Sequence, residues 1–413
     1  MFVLDQRKRT EMEKIMNILI VNTFYYPNMA GGAEHSVKLL AENLVNAGHD
    51  VSVYTLDGKR KQSAVLEHET INGVYVYRGH DVYFDREKHF HAKNYIEKVM
   101  CRLSSIQNKR IKKDLDYLMT QVKPDVVHTN GIYGISTYVW EYFHKHNVKV
   151  VYTIRDYFLF DPTARVGGTK SFLLNIYQNY FRRKSCRYVD IVTAPSKFTL
   201  DVFTQNGYFR NAKKKCVVNS IDFKFEDVEQ IVEEKLARKA NIVIFLFVGA
   251  LTHNKGVDNL LEAFQLVNSE NIRLWLCGEG PLEKLVKEAQ IQDKRICYKG
   301  QLAAEKLKTV YREADVLIAP STWDEPFGRI IIEGNQYGLT VIGSNKAGIA
   351  EILAYMKTGE VIDPNCITEI ADRIKCFSNR EYYSKYIKNI PQNLSRYSVK
   401  RQIEDFAALY KAN

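Results

Sequence analysis

The sequence predicts an α/β protein made of two successive parallel-sheet units that face each other across a cleft. Three observations carry this. Short runs rich in Ile and Val alternate with helical stretches, the rhythm of parallel strands joined by crossover helices. That cadence stops near residue 220 and restarts near residue 241, so one pattern is laid down twice. The 413 residues, at roughly 100 to 200 per domain, suffice for about two or three cores.

Residues 1–15, which include Arg7, Lys8, Arg9, Glu11 and Glu13, are expected to be an extension outside the fold; they lack the apolar run of a secretory leader. The first unit, 16–220, holds the strand candidates Ile18–Asn22, Val51–Thr55, Val126–Thr129, Val148–Thr153 and Ile191–Ala194, with an amphipathic helix over His35–Ala47. Within it, 92–122 reads as a long basic helical stretch carrying Lys98, Arg102, Lys109, Arg110, Lys112 and Lys113. Such a stretch is either a solvated helix face or a surface turned to a membrane. The highly charged 221–240 reads as a linker or short helix between the units. The second unit, 241–390, holds Ile242–Gly249, Arg273–Gly278, Ile296–Gly300, Val316–Pro320 and Thr340–Gly343 as buried strands. Residues 391–413 are expected to form a C-terminal helix with the option of crossing back to the first unit.

Composition narrows the function classes. The apolar fraction of 46% and charged fraction of 26% are globular values, and 9 prolines with 22 glycines leave little for linkers, so disordered and fibrous classes drop out. The 59 basic residues against 48 acidic ones leave a net charge of +11, spread along the chain and not gathered in an arm. Anionic small partners fit that distribution; nucleic acid is not expected. Seven cysteines (Cys101, Cys186, Cys216, Cys277, Cys297, Cys366, Cys376) form no CxxC pair and point to a reduced, cytoplasmic compartment. No stretch approaches the ~20 apolar residues of a membrane span.

Three segments carry chemistry. Tyr25 to Glu34 follows the first strand and contains Gly31 and Gly32, which let backbone approach a ligand at a helix N-terminus. The GxGxxG spacing of dinucleotide enzymes is missing, and no acidic residue ends the second strand, where Tyr54 and Thr55 stand. Asp324-Glu325-Pro326-Phe327-Gly328-Arg329-Ile330-Ile331-Ile332-Glu333 follows the strand at Val316. With Pro326 at the first helical position, the free N–H groups of Phe327, Gly328 and Arg329 would face the cleft and suit a pyrophosphate. Glu325 then lies in the loop and Glu333 roughly 10 Å further along, at about 1.5 Å per residue, too far to share a proton. Glu325 can accept hydrogen bonds from a sugar. Glu333 interrupts an apolar run, where a buried carboxylate needs donors such as ribose hydroxyls; a capping Glu325 and a salt-bridged Glu333 are the plain structural alternative. In the third segment, Gly249 to Gly256, Lys255 is a cation at a helix N-terminus, better explained by an anionic ligand than by helix stability. The turns Gly278-Glu279-Gly280 and Gly300-Gln301-Leu302 end strands on the same edge, where ligands of open α/β sheets lie.

With these residues, the chain resembles the family-4 glycosyltransferases of the GT-B fold, two facing Rossmann-like lobes with a nucleotide-sugar in the cleft. Glu325 and Glu333 match the family's pair of glutamates in an EPFG context, Lys255-Gly256 its Lys-Gly, Gly31-Gly32 its glycine-rich first loop, and Gly348-Ile349-Ala350-Glu351 its later turn. The resemblance implies that Lys255 neutralises the donor diphosphate, Glu325 holds donor-sugar hydroxyls and Glu333 the ribose. It implies further donor contacts from Phe327, Gly328, Arg329, Gly300, Gln301 and Leu302. The Arg155-Asp156 pair resembles a first-lobe segment of the family, and His128, Asn130, Arg155 and Asp156 are candidate acceptor or sugar contacts. Ala250 stands where many members have arginine, which leaves a phosphate cation to Arg329 or Arg155, and Asn130 stands where many have histidine.

The expected activity is therefore a retaining, metal-independent hexosyl transfer from a nucleoside diphosphate sugar to a glycan or lipid-linked acceptor, with a role in bacterial cell-surface polysaccharide synthesis. A nucleotide-sugar epimerase and a catalytically degenerate binding subunit are the alternatives. The Asp-x-Asp that fits a metal loop, Asp114-Leu115-Asp116, lies in the basic helical stretch, so no metal and no cofactor are expected. Acceptor specificity is assigned to Tyr83–Tyr95 and Phe160–Tyr177, and peripheral contact with the inner membrane face is an option left open.

Overall fold

A computed structural model describes residues 15–29, 31–56, 66–79, 107–160, 172–239 and 241–412. The extension 1–14, the acceptor segment Tyr83–Tyr95, most of Phe160–Tyr177 and the part of the basic stretch before 107 lie outside the described residues. Two sheets are present among them. The first has eight strands in the order β3-β4-β2-β1-β5-β6-β7-β8: β1 (Asn17–Val21), β2 (Asp50–Leu56), β3 (His68–Ile71), β4 (Val74–Gly79), β5 (Val126–Thr129), β6 (Lys149–Thr153), β7 (Ile191–Ala194) and β8 (Lys213–Cys216). All neighbours are parallel except β3 and β4, an antiparallel hairpin closed by Asn72-Gly73, whose φ values are 51° and 81°. The second sheet is wholly parallel, in the order β11-β10-β9-β12-β13-β14: β9 (Val243–Val248), β10 (Ile272–Cys277), β11 (Ile296–Gly300), β12 (Val316–Ala319), β13 (Thr340–Ser344) and β14 (Gly359–Ile362). Two α/β lobes, each with helices over its sheet, are what the repeated cadence predicts.

The period-two geometry of a strand divides the first lobe's core. Ile18 and Ile20 of β1 pack into one apolar layer, Leu19 and Val21 into the other. The first of these layers is completed by the chain's far end: Phe406, Leu409 and Tyr410, from the helix Val399–Lys411, are buried in it. The charged segment after residue 221 contains the helix Phe225–Ala237, which sinks Val228 and Val232 into the second lobe's core. Its Lys235 is buried, donates to the Ala314 carbonyl, and is pushed down to about 8 by loss of water.

The lobes meet at two chain crossings and through side chains. Ile221 N–H donates to the Tyr397 carbonyl, and Ser220 Oγ bonds Gln402 Oε1 at 2.9 Å, so the chain's two passages between lobes run side by side. Away from them, Glu351 of the helix Ala347–Met356 accepts from the backbone N–H groups of Lys197 (2.8 Å) and Phe198, the first turn of the first-lobe helix Lys197–Gln205. Thr199 Oγ1 of that helix donates to the Pro326 carbonyl at 3.2 Å.

Candidate functional site

The site is built by loops at the C-terminal ends of strands from both sheets. After β9 the chain makes one 3₁₀ turn, His253–Lys255, and then Gly256 at φ 69° starts the helix Val257–Gln265. A Cβ on Gly256 would lie 2.0 Å from the Pro320 carbonyl oxygen, so this close approach of two loops needs glycine. Ser321 Oγ and the Thr322 N–H both bond the Asn254 carbonyl, at 3.0 and 2.9 Å, tying the loop after β12 to the loop after β9. This brings Lys255 to Glu325, Nζ to Oε1, at 2.7 Å.

The helix after β12 starts at Arg329, not at Pro326. Gly328 adopts φ 89°, a left-handed turn in which an added Cβ would lie 2.8 Å from Ile349 Cγ1, and so it stops helical geometry from reaching back to Pro326. Phe327 is consequently a core side chain, 5% exposed, and no part of the cavity wall. The helix mouth belongs to Arg329. Its Nε donates to Glu333 Oε1 at 2.6 Å, one turn on, and its Nη1 to the Ser220 carbonyl (3.0 Å) and to first-lobe Ser36 Oγ (3.2 Å). Glu333 is therefore not stranded among apolar side chains: it is 33% exposed and already has a donor.

These two ion pairs share one cavity of about 960 Å³ between the lobes. Gly31, Gly32, Ala250, Lys255, Leu302, Glu325, Arg329 and Glu333 all line it. Gly31 heads the helix Gly32–Asn46, and its N–H is held by Glu34 Oε2 at 2.8 Å. Burial pushes the Glu34 carboxyl up, against its backbone hydrogen bonds. Gly300 and Gln301 end β11 beside the cavity without forming its wall, a place taken by Leu302. Sequence reasoning missed several wall residues, among them His35, Tyr311 and Tyr337. His35, in the first helical turn after the glycine pair, had a positional signal; burial and then Arg329 hold its imidazole below the usual range. Tyr337, one helical turn after Glu333, also had a positional signal; Tyr311 had none.

The first-lobe candidates are drawn inward. His128 is fully buried, its Nδ1 2.7 Å from Tyr410 Oη and its Nε2 2.7 Å from Thr153 Oγ1, and burial, then Arg155, push it down to about 3. It is a neutral structural link between β5, β6 and the C-terminal helix. Asn130 is 1% exposed and its Oδ1 accepts from Arg155 Nε at 2.8 Å, so the position expected to reach a sugar instead supports an arginine. Arg155 Nη1 donates to Asn219 Oδ1 at 2.6 Å, while its Nη2 has no partner among the described residues. Burial and then the charge of Arg329 bring this guanidinium down to about 10. Asp156 accepts the Phe158 N–H at 2.9 Å and is pushed up by burial. Asp114 accepts from Tyr54 Oη, and Asp116 from Lys112 and Tyr142, so both belong to local surface packing.

Residues 30–225 match the family described as Glycosyltransferase Family 4, and residues 228–393 that described as Glycosyl transferases group 1. Among curated relatives, an uncharacterized 42.6 kDa protein in the cps region of Klebsiella pneumoniae is 27% identical over 82% of this chain and 87% of its own. An uncharacterized glycosyltransferase of Methanocaldococcus jannaschii is 26% identical over 91% and 92%. Among solved structures, the sucrose-phosphate synthase of Thermosynechococcus elongatus superposes with a TM-score of 0.71 at 19% identity, covering 95% of this chain and 98% of that one. Anabaena HepE in complex with UDP gives 0.67 at 17%, covering 95% and 99%.

Proposed function

As a glycosyltransferase of the group 1, family 4 type with the GT-B fold, the chain has a transferase's two-lobed cleft, and we propose that it moves a hexose-like sugar from a nucleoside diphosphate sugar, with retention of configuration, to a hydroxyl of a glycan or lipid-linked acceptor. One observation carries the reading: two cation–carboxylate pairs, Lys255–Glu325 and Arg329–Glu333, line one cavity at the strand ends. A nucleotide sugar offers each member of these pairs a replacement partner. Its diphosphate attracts the two cations, and its sugar and ribose hydroxyls donate to the two carboxylates. Little charge is stranded in the exchange, which is the condition for loading a partly buried ionic site.

In the reaction, Lys255 stabilises the negative charge that develops on the departing diphosphate, with the Gly31-Gly32 backbone opposite. Glu325 orients the transferred sugar and Glu333 the ribose. Ala250 contributes no charge, so Arg329 joins Lys255 on the phosphate; the wall's other cations, Lys38 and Lys308, are paired on their own helices with Glu42 and Glu305. The UDP held by the Anabaena neighbour supports a nucleoside diphosphate here, and the cps-region relative supports cell-surface polysaccharide as the setting. A cytoplasmic enzyme touching the membrane face peripherally suits a lipid-linked acceptor; no described helix is long and apolar enough to cross a bilayer.

Thermal-shift titration against UDP, ADP, GDP and their sugars tests the donor. One nucleotide at roughly 100 times its dissociation constant should stabilise by about 2.7 kcal/mol; no shift with any of them would refute the reading. Turnover should survive excess EDTA. Loss on chelation with recovery on manganese would mean that a metal, and not Lys255 and Arg329, carries the phosphate charge.

A further inference from the structure

Tyr311, near the end of the helix Ala304–Glu313, forms part of the cavity wall together with Tyr337 and Glu333. The two tyrosine rings stack, centroids 5.3 Å apart and planes within 6°. Tyr311 is 3% exposed, and its hydroxyl has no hydrogen-bond partner among the described residues. Buried hydroxyls are nearly always partnered, so an orphan in a ligand cavity calls for an acceptor that moves into place when the cavity is loaded. Burial, and next the carboxylate of Glu333, raise the phenol's pKa, which keeps it a donor. Glu333 is a carboxylate of the same cavity wall whose charge reaches the phenol, and its Oε1 is engaged by Arg329 at 2.6 Å.

We propose that Tyr311 is the positioning residue for Glu333 in the nucleotide-bound protein. Ribose hydroxyls draw the Glu333 carboxylate off Arg329, Tyr311 Oη donates to the carboxylate in its ribose-holding pose, and Arg329 is released to the diphosphate beside the uncharged Ala250. Tyr337, stacked on Tyr311, keeps the phenol from following the carboxylate out. The proposal rests on the nucleotide-sugar reading above and adds to it a fixed donor and an exchange of partners.

The test compares UDP, ADP and GDP with their 2′,3′-dideoxy forms by calorimetry. Wild type should bind one ribonucleotide more tightly than its dideoxy form. Tyr311→Phe keeps the ring stack and should lose roughly ten- to a hundredfold in affinity for that ribonucleotide, as expected for one hydrogen bond to a charged group. Its dideoxy affinity and its ligand-free melting temperature should stay at wild-type values, because the missing O–H has no partner without nucleotide. On a Glu333→Gln background the same change should add less than about twofold, the non-additivity of groups acting as a unit. Equal loss for both nucleotide forms, no loss at all, additivity with Glu333→Gln, or a lowered ligand-free melting temperature would each overturn the role proposed for Tyr311. A wild type that binds none of the nucleotides would overturn the nucleotide reading, and this inference with it.

Discussion

Lys255 and Glu325 hold each other at 2.7 Å in the cavity wall, so removing either leaves the other's charge unpaired. Lys255→Ala should lower turnover by roughly a hundredfold or more, the scale of losing one donor to developing charge; near-normal turnover with an intact circular-dichroism spectrum would place the phosphate elsewhere. The two glutamates should fail differently. Glu325→Ala should not weaken affinity for free nucleoside diphosphate, since that ligand has no sugar and Lys255 is freed for its phosphates, whereas Glu333→Ala should weaken it roughly ten- to a hundredfold through loss of about 1.5 to 3 kcal/mol. Calorimetry separates the cases. The buried His128 makes a pH prediction. Its folded value of about 3 lies below the ordinary 6.5, so the unfolded chain takes up a proton that the folded chain refuses. Stability from this group is complete above pH 6.5 and is lost as pH falls toward 3, by at most about 1.4 kcal/mol per pH unit. Acid melts of wild type should be steeper in that window than those of His128→Asn; parallel curves would show that His128 is protonated or solvated in the fold.

Among the elements, the carboxylate of Glu351 does its work on a helix of the opposite lobe. Lys197 and Phe198 present free N–H groups at the start of Lys197–Gln205, and a carboxylate there satisfies both while meeting the positive end of the dipole. Glu351→Ala should cost about 1 to 2 kcal/mol, the upper range of N-cap losses. Because the cap crosses between lobes, amide exchange at Lys197 and Phe198 should speed up more than exchange in β7, which precedes that helix. Equal changes in both would mean that the clasp and the first-lobe core open as one unit. The elements also show where local reading works. The strands β5, β7 and β11 have the boundaries their apolar runs indicate. The hairpin β3–β4 was overlooked although Asn72-Gly73 between alternating residues is a strong turn signal. Strand β8, Lys213-Lys-Lys-Cys, has no apolar signature because it is an exposed edge, where lysines discourage further pairing.

At the scale of the molecule, the helix Val399–Lys411 belongs to the first lobe in packing although it follows the second in sequence. Phe406, Leu409 and Tyr410 are buried against Met16, Ile18 and Ile20, and Tyr410 supplies the partner of His128. At about 1.5 to 3 kcal/mol per buried side chain, these three carry several kcal/mol, a large part of a typical total of about 5 to 15. A chain ending at Ser398 should fail to give a soluble, cooperatively melting first lobe. A truncated protein that melts like the full chain would show this helix to be dispensable cover.

The periodic apolar runs, the glycines at strand ends and the glutamate spacing are local quantities, and from them the sequence alone determined two parallel α/β lobes and a cavity edge bearing Lys255, Glu325 and Glu333. Only the tertiary structure decided which polar side chains meet. The left-handed turn at Gly328 is set by contact with Ile349, and it moves the helix start from Pro326 to Arg329. Asn130 and Arg155, separated by 25 residues, find each other because β5 and β6 are neighbours. Tyr311 and Tyr337 join the cavity because a helix and a loop from different crossovers pack there. Such pairings depend on distances through space between residues far apart in the chain, and no window of sequence contains them.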